Sequence, residues 1–337
     1  MSSKVPRGEP LIHTSLSYDS DSQVQKLGAL FIILFTLFFL TLKISTHHLN
    51  KFHLLYIGSI FGCYFLHPLT RKLVLIMFPM AIYGLMYDFF QYIPFEKLMP
   101  IRVAEPYNLD LKCFGISFQG HLLHFNEFLF QHFHHPILDI YCAFIYMLHV
   151  PMVILLMVVF WRYSSDELAA RFIFAFWVMN VFAFATYYFY PAAAPWFVQK
   201  YGFLQPLVPM LGDAAGLARF DELLHLDLFT KNYQISPVPF GALPSMHAGF
   251  SFLSFLYSFQ LNRKLSWGLA IYCVSMSFSA LYLQHHYGID LILGVVYAFL
   301  AYFLVEKFLK KPFLKSFRFL RLKLIDQGSH TLFHSKE

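Results

Sequence analysis

The chain has 337 residues, of which 58% are hydrophobic, 20% aromatic and only 13% charged. Soluble domains average about 25% charged and 45–50% apolar residues, so this composition favours a membrane protein over a very large soluble core. The formal net charge is +6, but the basic residues lie beside apolar segments and form no cluster of the kind that binds nucleic acid. The four cysteines have no short repeated spacing and do not indicate a disulfide framework.

Eight apolar stretches are long enough, or nearly so, to cross the roughly 30 Å hydrocarbon core of a bilayer as helices. Two longer connections, 93–137 and 191–245, interrupt the series. We therefore predict an all-α, polytopic membrane helix bundle with about eight transmembrane helices and no broken span. The predicted spans are 27–44, 52–69, 73–92, 138–160, 171–190, 246–261, 266–284 and 287–306.

The segments outside the spans are polar or basic. Residues 1–26 lack the apolar core and cleavage site of a signal peptide, so we expect a cytosolic N-terminal segment. The stretch 117–136 has apolar residues at near-helical spacing but is too polar to span, which makes 93–137 an interfacial or re-entrant segment. The tail 307–337 alternates basic residues with Phe and Leu, as expected of a cytosolic segment on an anionic leaflet.

The distribution of basic residues predicts the orientation. One side of the membrane receives the N-terminus, the short connections near 70–72, 161–171 and 262–265, and the tail. This side holds 17 of the 25 Lys and Arg residues, so the positive-inside rule makes it cytosolic. Both termini are then cytosolic, and the two long connections face a Golgi lumen or a bacterial periplasm.

Two motifs begin predicted membrane helices on the non-cytosolic side. FGALPSMH ends at His247, and HHYGID contains His286 and Asp290, four residues apart. The span 246–261 runs toward the cytosol and the span 266–284 returns, so both histidines reach the same membrane face. On a shared helix face, Asp290 accepts a proton from one nitrogen of His286 and makes the other more basic, as in an activated nucleophile.

The Pro-Ser pair before His247 is typical of a helix start, with Ser245 as the N-cap. Free N–H groups at a helix N-terminus favour a phosphate, and a histidine there is placed to act as general acid and base. Polar packing and a zinc site are the alternatives. A phosphoryl-transfer histidine needs no metal and the chain has no HExxH pair, so we predict neither a metal nor another cofactor.

Other polar residues have simpler explanations. Three lie inside predicted spans, where interhelical hydrogen bonds account for them: Asp88, His149 and Asn180. A histidine tract is best explained by a solvated interfacial face rather than by metal binding, and comprises His132, His134 and His135.

Three blocks of sequence resemble the type-2 phosphatidic acid phosphatase superfamily, and specifically the inositol phosphorylceramide synthase catalytic subunits of its lipid phosphotransferase branch. The blocks are YPAAAPWFVQKYG (190–202), AGLARFDELL and FTKNYQISPVPFGALPSMHAGFS (within 215–251), and LYLQHHYGIDLILG (281–294). They span about a third of the chain. The resemblance implies a six-helix phosphatase-like catalytic core within 138–306, with 191–245 as its non-cytosolic loop and 27–92 as accessory transmembrane helices.

The resemblance also implies roles for the motif residues. His286 is the nucleophile, Asp290 its orienting partner and His247 the acid and base. The implied reaction moves phosphoinositol from phosphatidylinositol to the hydroxyl of ceramide or another long-chain alcohol lipid, through a phosphohistidine, and releases diacylglycerol. The need for an accessory subunit is left open. The alternatives are a lipid phosphate phosphatase of the same superfamily and a non-enzymatic transporter or structural membrane protein.

The sequence departs from the phosphatase pattern at its basic residues. It has no clear KxxxxxxRP motif, and Ala280 stands where the phosphatases carry an Arg six residues before the second histidine. The phosphate still needs positive charge or N–H donors. We therefore name Arg219 as the candidate cation, with Lys231 behind it, although pairing of Arg219 with Asp221 or Glu222 explains it equally well.

Three further residues complete the predicted substrate-binding set. Ser245 lies at the helix start beside His247. Tyr190 and Trp196 bound a rigid Pro/Ala/aromatic run after the fifth span. Substrate lining and loop packing are equal alternatives for this run.

Overall fold

The computed structural model describes residues 15–47, 49–92, 98–206 and 210–315, without the side chains of 15–27 and 91. Residues 1–14 of the predicted N-terminal segment and 316–337 of the tail lie outside this description. Helices make up most of the described part, and its one sheet is a two-stranded hairpin, which confirms the all-α class.

The elements follow one another with short connections. They are α1 (Ser15–Ser45), α2 (Lys51–Leu66), α3 (Pro68–Phe89), α4 (Ala104–Phe114), β1 (Ile116–Phe118), β2 (His121–Leu123), α5 (Phe125–His132), α6 (Pro136–Met147), α7 (His149–Tyr163), α8 (Asp166–Phe189), α9 (Pro195–Tyr201), α10 (Ala218–Leu224), α11 (Leu228–Gln234), α12 (Met246–Ser258), α13 (Arg263–Tyr282) and α14 (Gly288–Leu304). A 3₁₀ turn, Phe90–Tyr92, follows α3, another, Ala215–Leu217, precedes α10, and a π-helix, Val305–Leu309, continues α14.

Helices cover all eight predicted spans. By length and composition, five described helices qualify as membrane-crossing, and α6 with α7 make a sixth if the pair counts as one bent span. The two remaining predicted spans are the shorter helices α2, with 16 residues, and α12, with 13. The polytopic helical architecture is therefore confirmed.

The chain divides into two compact units, Met1–Met77 with Lys311–Glu337, and Phe78–Lys310. In the described part of the first unit, α1 and α2 pack closely, and the glycine at position 28 permits this contact. A Cβ there would lie 2.1 Å from the Tyr64 hydroxyl. Asn50 caps α2 by accepting hydrogen bonds from the N–H groups of Phe52 and His53. A side-chain cap and a glycine contact thus define this helical hairpin.

In the second unit, α12 is the central helix. It packs against α7, α8, α13 and α14, and most of its residues are buried. Its small and hydroxyl residues suit this position, because they allow close approach and satisfy their own polar groups: Ser251 and Ser254 donate to helix carbonyls at 2.9 and 2.8 Å. A helix enclosed by protein need not match the bilayer thickness, which explains its short length.

The stretch 117–136, which has apolar residues at near-helical spacing, is not helical throughout. Gln119 and Gly120 both have positive φ, at 51° and 83°, and form a two-residue turn between β1 and β2. Two consecutive positive φ angles are the geometry of a type I′ hairpin turn. Helix therefore occupies only the second half of the stretch, as α5.

The two long connections form one cap. Ala192 pairs with Arg102 on one side and with Gly241 on the other through isolated parallel bridges. The cap has an apolar core of eight residues: Ile101, Val103, Ala193, Ala194, Trp196, Phe197, Phe240 and Ala242. Because Phe240 and Ala242 belong to it, this core fixes the position of the segment that leads into α12.

A buried ion pair joins three helices at the far end of the second unit from this cap. Arg171, in the first turns of α8, binds Glu306 of the π-helix and donates to Gln260, after α12, at 3.1 Å. Arg171 is only 8% exposed. A charge in such a place is stable only with its partner, so the pair fixes how these helix ends align.

We predict that Arg171→Met lowers the thermal unfolding midpoint of the detergent-solubilised protein, because the largely buried Glu306 loses its guanidinium partner and keeps only the longer contact with Lys310 at 3.5 Å, at a cost of about 3 kcal/mol. The double variant Arg171→Met/Glu306→Met should recover most of the loss. The control is Lys231→Met, which breaks the exposed pair with Asp227 and should leave the midpoint nearly unchanged. A double variant as unstable as Arg171→Met contradicts this account.

Candidate active site

A side-chain cap begins α12. The buried hydroxyl of Ser245 accepts a hydrogen bond from the N–H of Ala248 at 3.4 Å, which makes Ser245 the N-cap. His247 is therefore the second residue of the helix. Backbone N–H groups in this first turn have no acceptor within the helix and favour an anion.

The N-terminal ends of α12 and α14 are in main-chain contact. The N–H of Ser245 donates to the carbonyl of Asp290 at 2.9 Å. A Cβ at Gly294 would lie only 2.1 Å from the Ser245 carbonyl oxygen, and a Cβ at Gly249 would lie 3.3 Å from the Gly294 oxygen. Only glycine at position 294 permits this approach, which sets the distance between His247 and the segment 286–290.

His286 precedes α14 instead of lying within it, so the predicted shared helix face is wrong. The helix begins at Gly288, and Asp290 is its third residue. The Asp290 carboxylate accepts from the N–H of Tyr287 at 2.7 Å. This bond closes the helix end, and the extended Tyr287 (φ −84°, ψ 164°) takes His286 off the helix.

A backbone carbonyl orients His286. Its Nδ1 lies 2.9 Å from the Ala242 oxygen and 3.6 Å from Oδ2 of Asp290. Because a carbonyl only accepts, Nδ1 of His286 carries the hydrogen and Nε2 has the free lone pair. Asp290 adds a buried negative charge beside the ring. The Ala242 carbonyl thus lies closer to Nδ1 of His286 than the Asp290 carboxylate does, and the orienting role of Asp290 stays a prediction.

The two histidines meet although 39 positions separate them. Nδ1 of His247 lies 3.2 Å from Nε2 of His286. Since Nε2 of His286 is the acceptor, the hydrogen between them belongs to His247. The structure thus brings His247, His286 and Asp290 into one buried group, whose catalytic roles remain predictions.

The neighbouring His285 has a different environment. Its Nε2 lies 3.1 Å from the Ala214 carbonyl oxygen, and its ring stacks between those of Tyr146 and Tyr233 at 5.2 and 4.5 Å. Burial and the nearby His286 lower the pKa of His285 to about 3. His285 therefore favours the neutral form and is held between two aromatic rings, and the reactive role stays predicted for His286.

The histidines open into a cavity of about 490 Å³. Its walls are largely aromatic and apolar, and none of the lining residues within the described ranges is Lys or Arg. Its lining includes Tyr83, Tyr87, Tyr146, His149, Asn180, Phe184, Tyr187, Trp196, Asp213, Asn232, Tyr233, Ser236, His247, Phe250, His285 and His286.

Asp213 is the carboxylate among these lining residues. Its charge is compensated by Lys200 at 2.8 Å and by the N–H of Ala215 at 2.7 Å. Burial raises the pKa of Asp213, but these hydrogen bonds lower it by more, so the net pKa lies below its usual range. The carboxylate is ionised and paired, and it presents little free charge to the cavity.

The predicted substrate-binding residues separate into two groups. Trp196 lines the cavity, and Ser245 caps the adjoining helix. Tyr190 instead contacts the Arg102 guanidinium at 5.4 Å, and exposed Lys231 pairs with Asp227 at 2.9 Å. Substrate contacts for these four residues stay predictions.

Arg219 lies away from the cavity lining. It pairs with buried Asp139 at 2.9 Å, and its guanidinium lies against the rings of Phe130 and Tyr282 at 4.6 and 5.1 Å. The predicted alternative partner Asp221 accepts instead from the N–H groups of Phe229 and Thr230. Arg219 thus joins α10 to α6 and α13, and its phosphate-binding role stays a prediction.

A break in the predicted span 138–160 supplies site residues that the sequence did not identify. The axes of α6 and α7 differ by 52° around Leu148. Pro151 explains the break, because it has no N–H to donate and its ring would collide with the Met147 carbonyl of a continuous helix. The break brings Tyr146 and His149 against His247, at ring distances of 3.8 and 4.3 Å. The proline of the tripeptide His149-Val150-Pro151 is the sequence feature that indicates this break.

The histidine tract does not converge on one point. His134 lies 3.0 Å from Asp139, His135 caps α6 through Ile137, and the ring of His132 lies 4.6 Å from that of Phe118. Among the described residues no group of three or more His, Cys, Asp or Glu side chains is arranged to hold a metal ion.

The fold and this buried histidine group define a polytopic membrane protein with a phosphotransfer-type site. Residues 118–304 match the family model of the PAP2 superfamily. The chain belongs to the PAP2 superfamily.

Named relatives agree with this assignment. The chain is 33% identical over 290 residues to the phosphoinositol dihydroceramide synthase of Bacteroides thetaiotaomicron, covering 85% of this chain and 94% of that protein. It is 26% identical over 255 residues to the inositol phosphorylceramide synthase catalytic subunit of Schizosaccharomyces pombe, covering 75% of this chain and 58% of the relative. No solved structure matches. The predicted enzyme class, a phosphotransferase of the inositol phosphorylceramide synthase type, is confirmed.

We predict that Gly294→Ala removes most of the phosphotransferase activity, because the added methyl separates α14 from Ser245 and moves His286 away from His247. The measurement is turnover in detergent micelles, with helix content followed by circular dichroism. The control is Gly268→Ala on α13, where an added Cβ meets nothing within 4 Å. Wild-type turnover in Gly294→Ala contradicts the proposed importance of this contact.

Proposed function

We propose that this enzyme transfers phosphoinositol from phosphatidylinositol to the hydroxyl of a ceramide-type lipid and releases diacylglycerol. The observation that carries the proposal is the hydrogen bond between Nδ1 of His247 and the unprotonated Nε2 of His286, beside an aromatic cavity. The names of the bacterial and fungal relatives support the substrate class.

The first half-reaction forms a phosphohistidine. Nε2 of His286 attacks phosphorus, and the P–O bond to diacylglycerol breaks as protonated His247 gives its proton to the leaving oxygen. Phosphoinositol is then held on His286, and His247 is neutral. The hydrogen on Nδ1 of His286 is shared with the Ala242 carbonyl, which with Asp290 stabilises the positive charge that forms on the ring.

The second half-reaction reverses the proton transfer. His247 takes the proton of the acceptor hydroxyl, whose oxygen attacks phosphorus as the P–N bond to His286 breaks. The product is a phosphoinositol lipid, and the original protonation states are restored. The same chemistry serves the hydroxyl of another long-chain alcohol lipid in place of ceramide.

The charge of the cavity supports a phosphodiester as substrate. A phosphodiester carries one negative charge at neutral pH, whereas a phosphomonoester carries nearly two. In the part of the chain that the structure describes, the lining has histidines, phenols and amides but no Lys or Arg, and the N-terminus of α12 adds N–H donors. This supply of partial positive charge suits a phosphatidylinositol better than the monoester of a lipid phosphate phosphatase.

We also propose the orientation and the division of the chain that the basic residues indicate. Residues 1–26 and 307–337 are cytosolic, 27–92 are accessory helices, 93–137 are interfacial, and 138–306 are catalytic, with the loop 191–245 on the non-cytosolic face. In support, Arg162, Arg263, Lys264 and Lys307 lie at helix ends opposite those that carry His247 and His286.

We predict that the purified protein, given phosphatidylinositol labelled in inositol, transfers label to a new lipid only when ceramide is supplied. Without ceramide, wild-type protein should itself become labelled through an acid-labile bond, and His286→Ala should not. The control variant is His135→Ala, a histidine that caps α6 and should retain labelling. Release of water-soluble label as the sole reaction overturns transfer, and full activity in His286→Ala overturns the mechanism.

We predict that the loop 191–245 and the α12–α13 turn are labelled from opposite sides of the membrane. In a Cys113→Ser background, Lys231→Cys should react with an impermeant maleimide from the non-cytosolic side, and Lys264→Cys only after the membrane is opened. Both side chains are exposed. Labelling of both from one side contradicts the orientation.

A further inference from the structure

His247 has no carboxylate partner of the kind that His286 has in Asp290. Among the described residues, no Asp or Glu oxygen lies within 4.0 Å of its nitrogens. Yet the proposed reaction requires His247 to carry a positive charge before it protonates the diacylglycerol oxygen. Something else in this buried site must hold the ring and support that charge.

The ring of Tyr146 lies directly on His247. The centroids are 3.8 Å apart and the planes differ by only 16°, the closest ring contact around the site. Tyr146 is itself buried, at 3% exposure, and its other face stacks on His285. Because His285 stays neutral, the positive charge that Tyr146 faces is that of His247.

The break at Leu148 makes this stacking possible. Tyr146 ends α6, while His149 begins α7 and lies with its Nδ1 2.9 Å from the Tyr146 carbonyl oxygen. This bond ties the first residue of α7 to the last turn of α6. The kinked backbone and this bond together fix the Tyr146 ring against His247.

We propose that Tyr146 is a positioning residue, whose ring holds the His247 imidazole in place and stabilises its protonated form during phosphoryl transfer. This inference rests on the proposed function, in which His247 is the acid and base. An aromatic face attracts a cation placed over it, and the attraction strengthens when water is excluded. The ring rather than the hydroxyl of Tyr146 is the active feature.

The effect should appear in the pH dependence of turnover. Diacylglycerol release needs protonated His247, so activity falls on the basic limb as His247 loses its proton. If the Tyr146 ring is removed, the protonated form is less stable and the basic limb moves to lower pH, by about 0.5 to 1 unit. The titratable groups that face His247 are Tyr146, His149, His285 and His286, with Asp290 behind His286 and Tyr187 across the cavity.

The test compares pH profiles of kcat/KM for wild type and four variants. Tyr146→Phe keeps the ring and should keep the basic limb, and Tyr146→Leu should shift it to lower pH. Phe184→Leu is the control, because it removes a ring from the same cavity that does not touch His247. Tyr146 replaced by trifluorophenylalanine keeps the shape of Phe but weakens the cation attraction, so it should shift the limb even if Tyr146→Leu fails to fold.

The outcomes separate the two proposals. An unshifted limb with trifluorophenylalanine, or an equal shift in Phe184→Leu, overturns the role of Tyr146 while headgroup transfer stands. A shift in Tyr146→Phe equal to that in Tyr146→Leu assigns the effect to the hydroxyl and also overturns it. Full transfer activity in His247→Ala overturns the proposed function itself.

Discussion

The site depends on one close contact between two helices. Gly294 lets the start of α14 reach the start of α12, where the Ser245 N–H bonds to the Asp290 carbonyl. Small residues at such crossings allow main chains to touch in membrane proteins, where the hydrophobic effect does not draw helices together. Here the contact also positions the site, since His247 is two residues from Ser245 and His286 leads into Asp290. A displacement of about 1 Å at this crossing would separate the nucleophile and the acid that we propose.

Buried polar groups lie at both ends of the second unit, but they find hydrogen-bond and charge partners to different extents. At one end the charges of Arg171 and Glu306 neutralise each other in a fixed pair that aligns helices, although Nε of Arg171 has no hydrogen-bond partner. At the other end the polar groups are left only partly satisfied: the hydrogen between His247 and His286 is shared by two nitrogens, and Oδ1 of Asp290 has no partner. Unsatisfied groups are costly when buried and are therefore typical of functional sites. The first end gives stability, and the second end gives reactivity.

Sequence patterns predicted the features that depend on local composition. The helical class, the eight apolar segments and the Ser245 cap follow from hydropathy and capping rules, and counting spans predicted that His247 and His286 lie together. What was missed depends on contacts between distant segments. The Ala242 carbonyl orients His286 because the cap core places 240–242 beside it, and no local pattern indicates that. Likewise the break at Leu148 was hidden by continuous hydropathy, and Arg219 found a partner in Asp139, 80 positions away.

The charge balance of the cavity also bears on why the transfer that we propose would be favoured over hydrolysis. Donor, phosphohistidine and lipid product are each phosphodiesters or their nitrogen analogues, so the anionic charge in the site stays near one throughout transfer. Hydrolysis instead forms a phosphomonoester of nearly two negative charges, which a lining without Lys or Arg stabilises poorly. Asp213 is paired with Lys200 and the Ala215 N–H and adds little free charge. One mobile proton is therefore sufficient in the proposed transfer, where every species carries the same charge.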